Sequence, residues 1–155
     1  MARKENQMQA KELISVKGRL KIHVFDAETL ETKDYFEVDN LVVDAGLDYI
    51  ASRMKDATAT AMSHMAVGSD NTAAAAGQTA LGSELGRVAL TSTTVTSNVV
   101  EYIATFGAGT ATGAIVEAGI FNDGVAGTML CRTVFSVVNK GAADAMTITW
   151  EVTVA

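Results

Sequence analysis

Apolar and polar residues alternate along much of this chain, most cleanly near its end. Met146, Ile148, Trp150, Val152 and Val154 take every second position, with Thr147, Thr149, Glu151 and Thr153 between them. A period of two is the mark of a strand with one face in a core and the other wet or at an interface. Leu20, Ile22 and Val24 alternate in the same way with Arg19, Lys21 and His23, and Phe36 and Val38 alternate with Glu37 and Asp39. The charged stretch 26–34 between these two runs reads as a hairpin tip. Further strands are predicted over residues 62–67, 88–97, 99–106, 114–121, 128–138 and 145–154. Gly-rich or Asn/Asp/Gly turns punctuate them at 107–113, 122–124 and 139–141.

One segment follows a helical period instead. Leu47, Ile50, Ala51 and Met54 fall at i, i+3, i+4 and i+7. Asp44 is placed to cap that helix, Asp48 lies early in it, and Arg53 and Lys55 lie late, as the helix dipole favours. Successive strands with turn chemistry between them, and no strand–helix alternation, predict a mainly β fold. The expectation is an antiparallel jelly-roll-like sandwich with one short helix at about residues 45–55 and an N-terminal arm. The arm takes residues 1–17, with Gly18 as its break, and residues 18–155 form a single β-rich domain with a long central loop at 68–80. The chain contains no proline, so its strand edges need glycine, charge or another chain for protection.

The stretch His64 to Arg87 divides the mixed first half from the β second half. It reads HMAVGSDNTAAAAGQTALGSELGR. A short apolar run ends at Gly68, a Ser/Asp/Asn/Thr/Ala run follows, and order returns at Leu81, Glu84, Leu85 and Arg87. Leu81 and Leu85 are read as anchors to the core. Glu84 and Arg87, three apart, can pair. That clamp would leave the loop tip 68–78 free to meet a partner.

Charge narrows the function. The net charge is −6. Residues 1–21 carry Arg3, Lys4, Lys11, Lys17, Arg19 and Lys21 against Glu5 and Glu12, a local +4 that leaves −10 for the remainder. An acidic body is a poor nucleic-acid binder, because phosphate contacts need clustered Lys and Arg. A basic arm on such a body fits either contact with an acidic protein surface, including a neighbouring copy, or a solvated tail. Charged residues make up 19% of the chain, a little under the usual ~25%, which suits a surface partly covered by neighbours. No apolar run approaches the ~20 residues of a membrane span, and no signal peptide is read in the polar N-terminus. Cys131 is the sole cysteine, so an internal disulfide and a cysteine metal site are both excluded. It is read as a buried, inert thiol.

No catalytic constellation emerges. His23 and His64 lack carboxylates at ligand spacing. The Gly68-Ser69-Asp70 and Gly107-Ala108-Gly109 segments lack the lysine and following helix of a phosphate loop. Asp26, Glu28, Glu31 and Asp34 lack the glycine of a calcium loop. Glu101 and Glu117, on neighbouring predicted strands, could face each other as an acid pair, with nothing to orient a substrate. A carbohydrate-binding or hydrolytic jelly roll would need exposed aromatics, and the chain has one Trp and three Tyr. The reading is non-enzymatic, with no cofactor, no metal, no nucleic acid and no membrane.

Two stretches resemble structural proteins of tailed bacteriophages. One is Asn40-Leu-Val-Val-Asp-Ala-Gly46 running into the short helix. The other is Met65-Ala-Val-Gly-Ser, a Thr/Ala spacer, then Thr79-Ala-Leu-Gly-Ser-Glu-Leu-Gly-Arg87. Val116-Glu-Ala-Gly-Ile-Phe121 and Met129-Leu-Cys-Arg132 continue in the same order, so the resemblance covers about residues 20–154. The absence of proline in the spacer departs from the pattern. The resemblance implies a virion protein, most like a capsid decoration or cement protein. Such a protein is made in the host cytoplasm, self-associates as a dimer or trimer and binds the major capsid protein on the outer head surface. A tail-associated part, a fibre-attachment adaptor or baseplate component, is the alternative. The partner-contact candidates are Arg3, Lys4, Lys11 and Lys17 in the arm and Ser69, Asp70, Asn71 and Thr72 in the loop. Trp150 joins Leu81, Glu84, Leu85 and Arg87 as a structural anchor.

Overall fold

A computed structural model describes residues 13–55 and 59–155. Its strands are β1 (Val16–Asp26), β2 (Thr32–Val42), β3 (His64–Gly68), β4 (Glu84–Ala89), β5 (Ser92–Thr96), β6 (Val99–Phe106), β7 (Gly113–Phe121), β8 (Met129–Lys140) and β9 (Asp144–Val154), with one helix, α1 (Asp44–Arg53). All strand pairings are antiparallel, in the order β4-β3-β7-β8-β2-β1-β9-β6-β5. The mainly β fold with a single short helix is the one expected.

The two end strands of that order, β4 and β5, are separated in the chain by Leu90 and Thr91 alone, so the sheet must curl until its edges approach. Strand β2 makes the corner. It pairs with β1 from Asn40, opposite Gly18, to Thr32, opposite Phe25. It pairs with β8 only at Leu41 and Val42. The inner faces then meet in one core, where Leu20, Ile22, Ile148 and Trp150 of one half pack with Met65, Val67, Ile115 and Ile120 of the other. Trp150 is fully buried. Removing so large a core side chain typically costs about 3–5 kcal/mol.

Three local expectations are corrected. Gly18 does not break the chain, because β1 runs through it and Lys17 is already a strand residue opposite Thr153. A Cβ at position 18 would lie 1.8 Å from the Asn40 Oδ1 atom, so glycine leaves room for that side chain. Residues 88–97 are not one strand. Leu90 donates its backbone N–H to the Ser63 carbonyl and Thr91 donates to Ile103, which swings the chain from β4 in one half to β5 in the other. The helix begins at Val43 with no side-chain cap, so Asp44 is a first-turn residue and not the cap. Its buried side is Gly46 with partly buried Tyr49 and Ile50, while Leu47 and Met54 are exposed. A Cβ on Gly46 would lie 2.0 Å from the Leu130 carbonyl oxygen. Close approach to β8 therefore sets the rotation of the helix.

Candidate functional site

The central loop, residues 69–83, leaves β3 and returns to β4, and its two feet are both Gly-Ser. Ser69 donates its backbone N–H to the Ser83 carbonyl at 2.9 Å, and the two hydroxyls lie 3.2 Å apart. The glycines make this possible. A Cβ at Gly68 would lie 2.3 Å from the Ser83 carbonyl oxygen and 2.4 Å from the Glu117 carboxylate, and one at Gly82 would lie 1.6 Å from the Asp70 carboxylate.

Beneath the feet lies an ion pair. Glu117 of β7 and Arg132 of β8 sit side by side on adjacent strands, and both are almost wholly buried. The Arg132 Nε and Nη2 atoms donate to Glu117 Oε2 at 3.0 and 2.8 Å. The remaining guanidinium N–H groups reach into the loop. Nη1 donates to the Thr72 carbonyl at 2.9 Å and to Gln78 Oε1 at 3.0 Å, and Nη2 also donates to the Asp70 carbonyl at 3.3 Å. All five donors of the guanidinium are thus used. Glu117 is equally saturated. Its Oε1 accepts the Asp70 and Ser83 N–H groups at 3.2 and 2.8 Å, and its Oε2 accepts that of Gly82 at 3.0 Å. Burying two charges is favourable only when geometry and additional hydrogen bonds satisfy both, and here they do. Gln78 adds a crosspiece, accepting the Ala75 N–H and donating to the Ala73 carbonyl. The Asp70 carboxylate accepts the backbone N–H and hydroxyl of Thr72, at 2.9 and 2.8 Å, which holds it below the usual carboxylate range.

The loop candidates therefore divide. Ser69, Asp70 and Thr72 all carry hydrogen bonds that shape the loop, and Asn71 is exposed on its outer turn. The loop is tied down through its length and is not a free tip. The anchors divide too. Arg87 donates to Glu84 at 2.7 Å, lies 3.8 Å over the Phe121 ring and donates to the carbonyls of Asp123 and Ala126. It holds the β7–β8 loop as well as its own strand. Leu81 is partly buried against Phe121 and Met129. Leu85 is 40% exposed and is not among the residues of the core; its side chain lies beside Gly113. Arg3, Lys4 and Lys11 lie outside the described residues, and Lys17 is exposed on β1.

Glu101 and Glu117 do not face each other as an acid pair. Strands β6 and β7 follow each other in the chain but lie in different halves of the sheet, so Glu117 meets Arg132 while Glu101 stands opposite Glu151 of β9. His23 shares a hydrogen bond with the Thr32 hydroxyl, and His64 shares one with Ser63. Among the described residues no group of three or more His, Cys, Asp or Glu is placed to hold a metal ion. Cys131 is buried, and burial pushes its thiol up. An apolar groove of about 400 Å³ lies at one end of the curled sheet, lined by Tyr49, Ile50, Met62, Val95, Tyr102 and Val154 among others. Burial raises the Tyr102 phenol there to about 12. With every valence of the Glu117–Arg132 pair used inside the protein, this centre has no free group for proton transfer. What it does is fix the shape of a surface loop.

Comparison with protein-family models, with curated proteins and with solved structures finds no match.

Proposed function

We propose that this chain is a non-enzymatic structural protein of a tailed-phage virion, a capsid decoration or cement protein that binds across major capsid subunits on the outer head surface. The observation that carries the reading is the clasp. A buried ion pair with all its hydrogen bonds satisfied is spent on presenting one surface loop, which is the work of a binding module. Rigidity matters for such a module, because a pre-ordered loop loses less conformational freedom on docking. Many copies on one shell then make modest single contacts sufficient. The resemblance of residues 40–46 and 65–87 to phage virion proteins supplies the identity of the partner.

The test is decoration of purified, undecorated capsids. The full chain is expected to saturate them, and the exposed loop substitution Asn71→Arg, which touches none of the clasp bonds, is expected to lower occupancy at least tenfold at limiting protein. Deleting residues 2–12, before β1 begins, is expected to lower occupancy while the domain stays folded. Occupancy unchanged by both variants would remove the loop and the arm as contacts. Copy number in intact particles separates head from tail: a decoration protein scales with the capsid subunits, a tail part with the few copies of the tail.

A further inference from the structure

The curled sheet has two free edges, and they are unequally guarded. Along β4, Glu84 and Arg87 are paired charges, and the 107–112 turn packs on Gly86, where a Cβ would lie 2.8 Å from that of Ala111. Charge and cover are the usual protections of an edge strand. Along β5 neither is present among the described residues. Ser92-Thr93-Thr94-Val95-Thr96 carries no charge and no proline, every residue is exposed, and Val95 is 69% exposed. One side of β5 pairs with β6. The other side has no strand partner among the described residues, so it presents a row of unpaired backbone N–H and C=O groups.

We infer that β5 is a homodimer edge, where β5 of a second copy adds antiparallel about a two-fold axis at Thr94. The sequence of this edge is self-complementary in that register. Thr94 meets Thr94 of the second copy, Ser92 meets Thr96, and Thr93 meets Val95. The sides agree as well. Ser92, Thr94 and Thr96 stand opposite Ile103, Glu101 and Val99 of β6 on the outer face, while Thr93 and Val95 stand opposite Tyr102 and Val100 on the inner one. The axis therefore joins hydroxyl to hydroxyl outside, a favourable cross-strand pair. Inside, Val95 of each copy extends the apolar wall of the other's groove, which Thr93 and Val95 already line.

Electrostatics allows this pairing. Glu101 and Glu151 are like charges on facing positions of β6 and β9, and no ion pair neutralises them among the described residues. Across the proposed axis, three strand spacings separate the two copies of Glu101, about 14 Å. That exceeds the ~8 Å screening length at physiological salt, so the acidic pairs do not oppose association. A second copy is the favoured occupant because a neutral, self-complementary edge needs nothing else to complete it. The pairing goes beyond capsid binding: a monomeric protein would overturn it and leave the decoration reading standing.

Sedimentation of the full-length protein tests it, with register-specific cross-linking. Wild type is expected to dimerise at micromolar concentration. Thr94→Glu, which sets two carboxylates against each other with Glu101 of each copy beside them, is expected to weaken dimerisation at least 100-fold with the far-ultraviolet spectrum unchanged. Thr94→Cys is expected to form a disulfide-linked dimer under mild oxidation, while Ser92→Cys alone links poorly, since its facing position is Thr96. Cys131 is buried and does not compete. A wild type that stays monomeric at about 100 μM, or a dimer indifferent to Thr94→Glu, would overturn the pairing. Ser92→Cys linking as fast as Thr94→Cys would overturn it independently of how Thr94→Glu folds.

Discussion

Replacing Glu117 with Gln changes almost nothing in shape and disturbs every bond of the clasp. The carboxylate accepts five hydrogen bonds, two at Oε1 and three at Oε2. A glutamine has one oxygen and one NH2 group. Whichever way the amide turns, the NH2 faces at least two donors, and the Arg132 cation keeps its burial without its anion. Breaking a buried pair from one side typically costs 3–5 kcal/mol, because the remaining charge is left uncompensated. That is a large share of the ~5–15 kcal/mol by which folded domains are stable. For a domain of this length it corresponds to a fall of the melting temperature on the order of 10 °C. Urea denaturation reads the global effect. Hydrogen exchange reads the local one, and the Asp70, Gly82 and Ser83 amides are expected to lose protection in Glu117→Gln before the β3 core does. Pairing Glu117→Gln with Arg132→Met removes the uncompensated cation but leaves the Thr72 and Asp70 carbonyls and Gln78 Oε1 without their donor, so it should recover only part of the loss. A Glu117→Gln protein within about 1 kcal/mol of wild type, with unchanged exchange at the loop feet, would show that the clasp does not hold the loop.

Two other changes probe the frame around it. Gly46→Ala places a methyl group into the Leu130 carbonyl. Overpacking of this kind costs about 1–3 kcal/mol, outweighing the better helix propensity of alanine, and is measurable as a lower denaturation midpoint. At the start of β9, the buried Asp144 accepts from Lys33 and from the Gly141 N–H, and its pKa is lowered, chiefly by the Lys33 hydrogen bond. The stability this supplies is present above the ordinary carboxylate value near 4 and is lost as pH falls through the lower folded value. Lys33 is shifted upward by the same contact, so its share is present below about 10.5 and is lost only as pH rises through the higher folded value. Asp144→Asn should therefore flatten the acid limb of a stability-versus-pH curve, and an unaltered limb would remove the ion pair from that role.

What could be seen in advance followed local pattern. The middle of β1, the middle of β2 and most of β9 alternate, and each lies with one face on the core, so their faces were legible there residue by residue. The break between β4 and β5 was not, because residues 88–97 are, apart from Leu90, all small or β-branched and the corner has no Gly or Pro. Hydrogen bonds to Ser63 and Ile103, distant in sequence, turn the chain there. The phase of α1 was misread because the apolar stripe pointed to Leu47, whereas a glycine decides the contact. The clasp was missed for a different reason. Glu117 and Arg132 are each a lone charge in an apolar strand, and a buried charge calls for a partner of opposite sign. That rule pairs them correctly once β7 and β8 are taken as neighbours. Setting Glu117 against Glu101 assumed that β6 and β7, adjacent in the chain, were adjacent in the sheet.

The first described strand is flanked on one side by β2 and on the other by β9, the last. Ser15 and Ala155 exchange two backbone hydrogen bonds. β1 can meet β2 early in folding, but its second neighbour is the strand most distant from it in sequence. Sheets built from such distant pairings fold slowly for their length. The same adjacency brings the two ends of the described chain to one place. A short linker could join them, and fresh ends opened in the β7–β8 loop would leave every strand pairing intact.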